Sequence, residues 1–159
     1  MAERILVVNF ENVSVSAVVD FFSLKNSTTN GLELRGFSIS AGGQTSPAEL
    51  RVRLKRVTGG TVTQGSGGTV ATANLVDTGI GAVGAKATAH TCDTTQGTGT
   101  TVTLLLPWQW NMLQDLLYVP TTVEERECIG PSEMIIVDLA AAPAAATNFS
   151  GWIKYSEYP

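Results

Sequence analysis

The amino-acid sequence predicts an all-β protein, a single antiparallel β-sandwich of the jelly-roll (Greek-key) type. Three observations lead to this prediction. Hydrophobic residues recur at every second position in several segments, Gly- and Thr-rich breakers separate these segments, and no long segment has the periodicity of an amphipathic helix. A chain of 159 residues can bury roughly two-thirds of its unfolded surface. One hydrophobic core, without disulfides or a metal, is therefore sufficient to fold it.

The N-terminal half contains three segments with strand periodicity. Hydrophobic and polar residues alternate over residues 13–21 and again over residues 32–39, which follow the turn signal Asn30-Gly31. Residues 50–55 alternate between aliphatic and basic side chains, which predicts a half-buried strand with one row of cations facing outward. The outward row consists of Arg51, Arg53 and Lys55.

Further strands are predicted in the C-terminal half. Residues 100–106 and 134–139 are short apolar runs bounded by turn residues, as expected of fully buried strands. Residues 149–155 alternate again, with Trp152 on the more polar side. The heavier apolar strands therefore lie at the two ends of the chain, and the pairing of sequence-distant strands is typical of a jelly roll.

Two segments of this half are ambiguous in type. We interpret residues 108–117 as a strand that places Trp108, Trp110 and Met112 on one face. Residues 120–126 contain a capping-box pattern, Thr122 with Glu125, which supports a single helical turn. No other segment is a candidate for helix.

Residues 1–12 differ in character from the sandwich domain that we assign to residues 13–159. They contain an apolar run that Glu11-Asn12 interrupts. The members of the run are Ile5, Leu6, Val7, Val8 and Phe10. Two interpretations are open: the run is the first strand of the sandwich, or it is an arm that pairs with a neighbouring subunit, as an apolar terminal strand can. In the second case its residues form an interface.

The composition favours a protein that packs against other proteins. Only 15% of the residues are charged, against about 25% in typical domains. Small uncharged side chains take their place, and these lose little conformational entropy when a surface is covered. The formal net charge is −4, so the chain lacks the excess of basic residues that nucleic-acid binding requires. No apolar stretch approaches the roughly 20 residues of a membrane span, and the N-terminus lacks the features of a signal peptide.

The sequence contains no recognisable catalytic motif. His90 is the only histidine, and no GxSxG elbow supplies a nucleophile for it. Gly65-Ser66-Gly67-Gly68 lacks the ending of a phosphate-binding loop, so we interpret it as a hairpin tip. Residues 124–127 lack the spacing of a calcium loop and are interpreted as a solvated turn. We therefore expect no enzymatic activity, no cofactor and no metal, with His90 facing solvent.

The two cysteines, Cys92 and Cys128, are expected to be buried free thiols. Neither belongs to a Cys-x-x-Cys motif, and His90 beside Cys92 cannot by itself complete a tetrahedral zinc site. A disulfide would require Cα atoms within about 7 Å and an oxidising compartment. The free thiols are favoured because the sequence predicts a cytoplasmic origin.

Two groups of residues are candidates for an interaction surface. The first is the basic row Arg51, Arg53 and Lys55, which suits an acidic partner, although a solvated strand face is the favoured interpretation. The second is aromatic and includes Trp108 and Trp110. Tryptophan often anchors interfaces, but aromatic residues also fill sandwich cores, and the core is the favoured interpretation here.

From Val19 onward the sequence resembles a group of small proteins encoded by tailed bacteriophages and prophages. The elements that carry the resemblance keep their order and spacing through most of the chain. They are Val19-Asp20-Phe21-Phe22, Glu49-Leu50-Arg51-Val52-Arg53-Leu54-Lys55-Arg56, Gly65-Ser66-Gly67-Gly68-Thr69, Asp93-Thr94-Thr95, Trp110-Asn111, Tyr118-Val119-Pro120, Glu124-Glu125-Arg126, Gly130-Pro131-Ser132-Glu133, Ala142-Pro143-Ala144 and Ser150-Gly151.

This resemblance implies a virion structural protein. Small β-sandwich proteins of tailed phages commonly serve as head decoration (cement) proteins, which bind the capsid exterior, clamp neighbouring capsomers and are often trimers. The expected partners are therefore the major capsid protein and further copies of this chain. The expected location is the capsid exterior, after synthesis in the host bacterial cytoplasm. The alternative is a receptor- or glycan-binding module of a phage tail or head fibre, because aromatic side chains on a β face can stack on sugars.

Overall fold

The computed structural model describes residues 4–76 and 84–158, and these residues contain twelve β-strands and no helix. The strands are β1 (Arg4–Val15), β2 (Asp20–Lys25), β3 (Gly31–Gly42), β4 (Glu49–Thr58), β5 (Thr69–Ala71), β6 (Asn74–Leu75), β7 (Thr88–Asp93), β8 (Thr101–Asn111), β9 (Leu116–Tyr118), β10 (Cys128–Ile129), β11 (Met134–Leu139) and β12 (Thr147–Tyr158).

The strands form two six-stranded sheets, and within each sheet every pair of neighbouring strands is antiparallel. In sheet A the order is β10-β3-β12-β1-β6, and β9 also pairs with β3. In sheet B the order is β5-β7-β2-β11-β4-β8. The predicted antiparallel β-sandwich is therefore confirmed, and β1 pairs with β12 from the opposite end of the chain, as expected.

Aromatic side chains join the two sheets in the centre of the sandwich. Alternation along β1 turns Phe10 inward, where its ring centroid lies 6.0 Å from that of Phe21 and 5.2 Å from that of Phe22, both on β2. Phe21 in turn contacts Phe149 of β12 at 5.2 Å in an edge-on arrangement. Burying each such side chain contributes roughly 1.5–3 kcal/mol, so this group is a large part of the core.

A second aromatic group closes the sandwich beside β8. Phe37 of β3, Trp108 of β8 and Tyr118 of β9 are mutually in contact, with ring centroids 5.4–5.5 Å apart. Because β3 and β9 belong to sheet A and β8 belongs to sheet B, the three rings connect the sheets at this flank. Trp108 is half-buried, and Trp110, two residues further along β8, is buried.

The N-terminal apolar run lies in sheet A of its own chain. β1 pairs with β12 from Arg4↔Glu157 to Val15↔Thr147 and so continues through the boundary that we placed after residue 12. The pairing is interrupted by a bulge at Asn12, whose φ of 54° lies in the left-handed region. The bulge coincides with the Glu11-Asn12 interruption in the sequence and keeps hydrophobic side chains facing the core on both sides of it.

Two of the sequence expectations for residues 108–126 are wrong. The strand expected over residues 108–117 is broken, because β8 ends at Asn111 and a turn follows, in which Trp110 Nε1 donates a hydrogen bond of 2.6 Å to the Gln114 carbonyl. Residues 121–126 form turns and no helix. The Glu125 carboxylate nevertheless accepts hydrogen bonds from the Thr121 and Thr122 amides, at 3.0 and 3.3 Å, so the polar half of the capping pattern is present.

Candidate interaction surfaces

The outer face of sheet B is covered by two connections of the chain, residues 59–68 and 94–100, which we call the cover. The two connections pair with each other through reciprocal backbone hydrogen bonds between Thr63 and Thr98, both 2.8 Å, and between Ser66 and Thr95. Beneath them lies a small satellite core, separate from the main one. It consists of Val57, Val62, Met134 and Ile136.

A row of ionisable side chains crosses sheet B beside this satellite core. The strand register places Asp93 of β7 next to Asp20 of β2, Asp20 next to Asp138 of β11, and Asp138 next to Arg53 of β4. All three aspartates are buried. A buried carboxylate destabilises the fold unless cations or hydrogen-bond donors surround it. The partners of each aspartate therefore determine whether it stabilises the structure.

Asp138 is the best compensated of the three aspartates. Its carboxylate accepts a bidentate pair of hydrogen bonds from Arg53, at 3.0 and 2.6 Å, and lies 2.6 Å from the Lys55 ammonium. Gln96 of the cover donates a further hydrogen bond at 2.9 Å. One carboxylate therefore pairs with two cations of β4 and also attaches the cover to the sheet.

Asp20 and Asp93 attach the cover at two further points. One Asp20 oxygen accepts a 2.7 Å hydrogen bond from the Gly97 amide, while the other has no hydrogen-bond partner. Burial raises the pKa of Asp20 to about 6, against the lowering effects of the Gly97 hydrogen bond and of Lys55. Asp93 lies 3.1 Å from His90 Nδ1 and accepts a 3.2 Å hydrogen bond from the Gly68 amide. In the described part of the chain, no three His, Cys, Asp or Glu side chains are grouped to hold a metal ion.

These contacts change the meaning of the basic row predicted from the sequence. Arg53 and Lys55 both form ion pairs with Asp138, so both are engaged within their own chain. Arg51 is exposed. The signal for this pairing was present in the sequence: Asp138 is the one charged residue of the apolar run over β11, and a buried carboxylate there requires a cation from a neighbouring strand.

The interpretations of His90, the glycine segment and Cys128 also need correction. His90 is half-buried beside Asp93 and does not simply face solvent. Gly65-Ser66-Gly67-Gly68 is not a hairpin tip but part of the cover, because Gly65 is buried and Gly68 bonds to Asp93. Both cysteines are free thiols, as expected, but Cys128 is exposed and only Cys92 is buried.

The tryptophans proposed as interface residues lie mainly in the core. Trp110 is only 4% exposed, and Trp108 belongs to the aromatic group that closes the flank beside β8. The aromatic side chain on an outer sheet face is instead Trp152 of β12, which the register places in one row with Asn9 and Ser38. The Lys154 ammonium lies 4.9 Å from the centre of its ring.

The residues of the N-terminal run are divided between the two sides of sheet A. Leu6, Val8 and Phe10 are buried in the core, whereas Ile5 and Val7 are half-buried. Because strand side chains alternate, the half-buried pair faces the same side of sheet A as Trp152. This face carries no cover of the kind found on sheet B among the described residues.

Apolar side chains are exposed mainly between residues 102 and 123. This range holds six of the ten large hydrophobic side chains that are more than a third exposed in the described chain. Val102 and Leu104 lie on β8, each 52% exposed. The fully buried strand expected over residues 100–106 is therefore wrong in burial, because β8 is an edge strand of sheet B. The other four lie in residues 112–127, which we call the β8–β10 segment: Leu113, Leu117, Val119 and Val123.

A second feature of β8 is a shallow cleft of about 400 Å³ on its outer side. Arg51 and Arg53 line one part of it, and Leu104, Pro107 and Trp108 line another. Because Arg53 is bound to Asp138, Arg51 is the cation that this cleft offers to a partner.

No protein-family model matches this chain, and searches of the curated proteins and of the solved structures find no match. Within residues 4–76 and 84–158, no helix is long and apolar enough to cross a membrane. The assignment of a function therefore depends on the chemistry of the surfaces described above.

Proposed function

We propose that this protein is a virion structural protein, a head decoration (cement) protein that binds the exterior of a tailed-phage capsid and stabilises the contacts between capsomers. The observation that carries the proposal is the apolar β8–β10 segment. Its four exposed side chains are 48–61% accessible, and the exposed acidic residues Asp115 and Glu124 lie among them in the sequence. Exposed apolar side chains accompanied by polar ones are common in protein–protein interfaces.

The strand order supports the jelly-roll interpretation that we drew from the position of the apolar strands at the two ends of the chain. β1, β12, β3 and β10 are neighbours in one sheet, and β2, β11, β4 and β8 are neighbours in the other. The first four strands therefore alternate between the sheets, and the last two return to pair beside β1 and β2. The strands β5, β6 and β7 extend this arrangement at one flank.

The mechanism of such a protein is thermodynamic. A ligand that binds only the assembled shell stabilises that shell by mass action, by RT ln(1 + [L]/Kd) per site. Many equivalent sites multiply a modest free energy, so no single contact needs to be strong. The partners are the major capsid protein and further copies of this chain, with a trimer as the favoured oligomer, and no enzymatic activity is proposed.

The test is quantitative mass spectrometry of particles purified from the phage or prophage that encodes this chain. We expect the protein in intact particles at a fixed ratio to the major capsid protein, comparable to the number of capsomer contacts. Its absence, or a copy number of only a few per particle, would contradict the proposal. A few copies per particle would instead favour a tail or fibre component.

The second candidate function is glycan binding by a receptor-recognition module. The observation in its favour is Trp152, which lies on the uncovered face of sheet A among Asn9 and Ser38, both able to hydrogen-bond a sugar. Glycan-array binding that Trp152→Ala abolishes, and that Val123→Ala in the β8–β10 segment leaves intact, would support it. Trp108 and Trp110 are unsuitable for this test because they are part of the core.

A further inference from the structure

Both edges of sheet B lack a strand partner among the described residues. β8 pairs with β4 alone, and β5 pairs with β7 alone. A long unpaired edge invites strand addition, and proteins usually protect one with charged residues or proline. Residues 101–106 of β8 contain neither, and Pro107 appears only after them. A bulge between Leu104 and Leu106 interrupts the ladder with β4, so residues 101–104 are the regular part of this edge. They carry no charge and have no strand partner on their outer side among the described residues.

The two edges expose matching apolar side chains. Val102 and Leu104 on β8 are each 52% exposed, and Val70, in the middle of β5, is 72% exposed. None of the residues 101–111 on β8 or 69–71 on β5 is charged. Two such edges meet without opposing like charges and without burying an unpaired charge.

The sandwich is open beside β5, in contrast to its closed flank beside β8. β6 pairs with β1 only at Leu6 and Val7, so from Val8 onward one side of β1 has no strand partner among the described residues. A cleft of about 570 Å³ separates this part of β1 from β5. Phe10, Val13 and Val70 are among its lining residues, none of which is charged. We call this cleft together with β5 the open flank.

The direction of the strands allows the two edges to join. Five antiparallel steps separate β5 from β8 in the order of sheet B, so these two edge strands run in opposite directions. If a second copy is related to the first by a rotation about an axis parallel to the strands, corresponding strands of the two copies run in the same direction. The β8 edge of one copy therefore meets the β5 edge of the next in antiparallel orientation, which is the more stable kind of ladder.

We propose that copies of this chain associate head to tail, with the β8 edge of one copy docked on the open flank of the next. Sheet B then continues from β5 of one copy into β8 of its neighbour. Val102 and Leu104 become covered on one side of the contact, and Val70 on the other. The contact is heterologous, so it closes into a ring when the rotation allows and otherwise continues as a filament.

This inference rests on the homo-oligomer in the proposed function but makes no use of a capsid. Its test is carried out on the purified chain, so a negative result would leave the capsid proposal standing. A twofold pairing of β8 with β8 of a second copy is the competing arrangement. It would leave the open flank uncovered, and the same experiment distinguishes it.

The experiment measures the mass of the purified protein in solution by sedimentation velocity, for the full chain and three variants. Leu104→Lys places a charge on the β8 edge, and Val70→Lys places one on the open flank. Leu117→Lys is the matched control, because Leu117 is 61% exposed on β9, outside both surfaces. All three sites are exposed, and thermal unfolding of each variant verifies that it is folded. Val102→Lys replaces Leu104→Lys if the latter fails to fold.

We expect an oligomer for the unchanged chain and for Leu117→Lys, and monomers for Leu104→Lys and Val70→Lys alone. An equimolar mixture of the two monomeric variants should form a species of two copies and no larger one. In that mixture, the intact β8 edge of Val70→Lys meets the intact open flank of Leu104→Lys, and both remaining surfaces are blocked. A monomeric unchanged chain would overturn the inference, as would a mixture that stays monomeric. An oligomeric Val70→Lys would overturn it in favour of β8–β8 pairing.

Discussion

The outer faces of the two sheets use charge in opposite ways. On sheet B, three buried aspartates and two cations of β4 form contacts with one another and with the cover. These charges therefore stabilise the fold from within. On sheet A, Glu33 pairs with Arg35 and Arg126 near the surface, and Trp152 and Lys154 lie on an uncovered face. Two of the five charged residues of β4, Arg53 and Lys55, therefore contribute to folding. The surfaces left for partners are largely uncharged.

The largest expected loss of stability comes from removing the charge of Asp138. Asp138→Asn keeps the shape of the side chain but removes the fully buried carboxylate that faces Arg53 and Lys55, whose side chains are 30% and 12% exposed. We expect a loss of about 3 kcal/mol in the free energy of unfolding, the lower end of the range for removing one partner of a buried ion pair, because water reaches both cations. Urea denaturation at neutral pH measures it.

Glu33→Gln is the matched control on sheet A. Its carboxylate also contacts two arginines, at 2.7 and 3.5 Å, but all three side chains retain some solvent exposure. We expect a loss of about 1 kcal/mol or less, as for ion pairs near the surface. Equal losses for the two variants would remove the distinction between the faces.

The next effect depends on pH and concerns Asp20. Its folded pKa of about 6 lies above the ordinary value of 3.8. Its contribution to stability is therefore fully present below about pH 4 and is lost as the pH rises through 6. At higher pH the carboxylate is charged in the unfolded chain, and in the folded chain the same charge is buried and poorly solvated. The shift corresponds to a penalty of about 3 kcal/mol or less at pH 8.

Asp20→Asn removes this penalty. The variant should be more stable than the unchanged chain at pH 8, and the gain should shrink toward zero at pH 4. Denaturation midpoints at the two pH values test it, with the difference between variant and unchanged chain isolating this one group. A gain of the same size at both pH values, or destabilisation at pH 8, would show that Asp20 is charged and compensated in the folded protein.

A smaller effect is expected from the satellite core under the cover. Val62 is 4% exposed and packs against β4 and β11 from the cover, so Val62→Ala should cost about 1–2 kcal/mol. Val123→Ala removes the same atoms from a side chain that is 59% exposed in the β8–β10 segment and should change stability by about 0.5 kcal/mol or less. Hydrogen exchange should also become faster at the Thr63 and Thr98 amides in Val62→Ala alone.

The smallest expected effect is on the uncovered face of sheet A. Lys154→Met removes a cation that lies 4.9 Å from the centre of the Trp152 ring but keeps most of the aliphatic stem. A cation–π contact at an exposed site contributes about 0.5–1 kcal/mol, so the loss should not exceed that range. A loss comparable to that of Asp138→Asn would mean that sheet A also depends on its outer charges.

The sequence predicted the parts of the fold that follow from local periodicity. The alternating residues of β3, β4 and β12 and the apolar run of β11 mark real strands, and their faces are those expected. The alternation over residues 13–21 does not mark one strand, because β1 ends at Val15 and β2 begins at Asp20. The break after Asn111 was missed because hydrophobic residues continue through the turn. Periodicity alone cannot show where the chain leaves the sheet, since the hydrogen bond from Trp110 to Gln114 that closes this turn is a tertiary feature.

The cover could not be predicted because the contacts that hold it in place join residues that are far apart in the sequence. Residues 59–68 and 94–100 are rich in Gly, Ser and Thr and have the composition of loops. Their pairing through Thr63 and Thr98 joins segments that are far apart in the sequence, and so does their attachment to Asp20, Asp93 and Asp138. Only the unexplained buried acid of β11 indicated that a polar contact of this kind exists.

The exposed hydrophobic residues were missed for a related reason. Leu117 and Val119 belong to a segment that we interpreted by its aromatic and acidic residues, and burial cannot be derived from residue type alone. The tryptophans, which did attract attention, fill the core beside β8, while smaller aliphatic side chains remain exposed.

The capsid-binding surface is tested by the binding of the purified protein to phage particles that lack its gene. Wild-type protein should bind to a fixed, saturating number of copies per particle. The double variant Leu117→Lys/Val119→Lys should bind at background level while remaining folded and keeping the oligomeric state of the wild type. Failure of the wild type to bind, or equal binding by the double variant, would contradict the claim that this apolar segment is the capsid-binding surface.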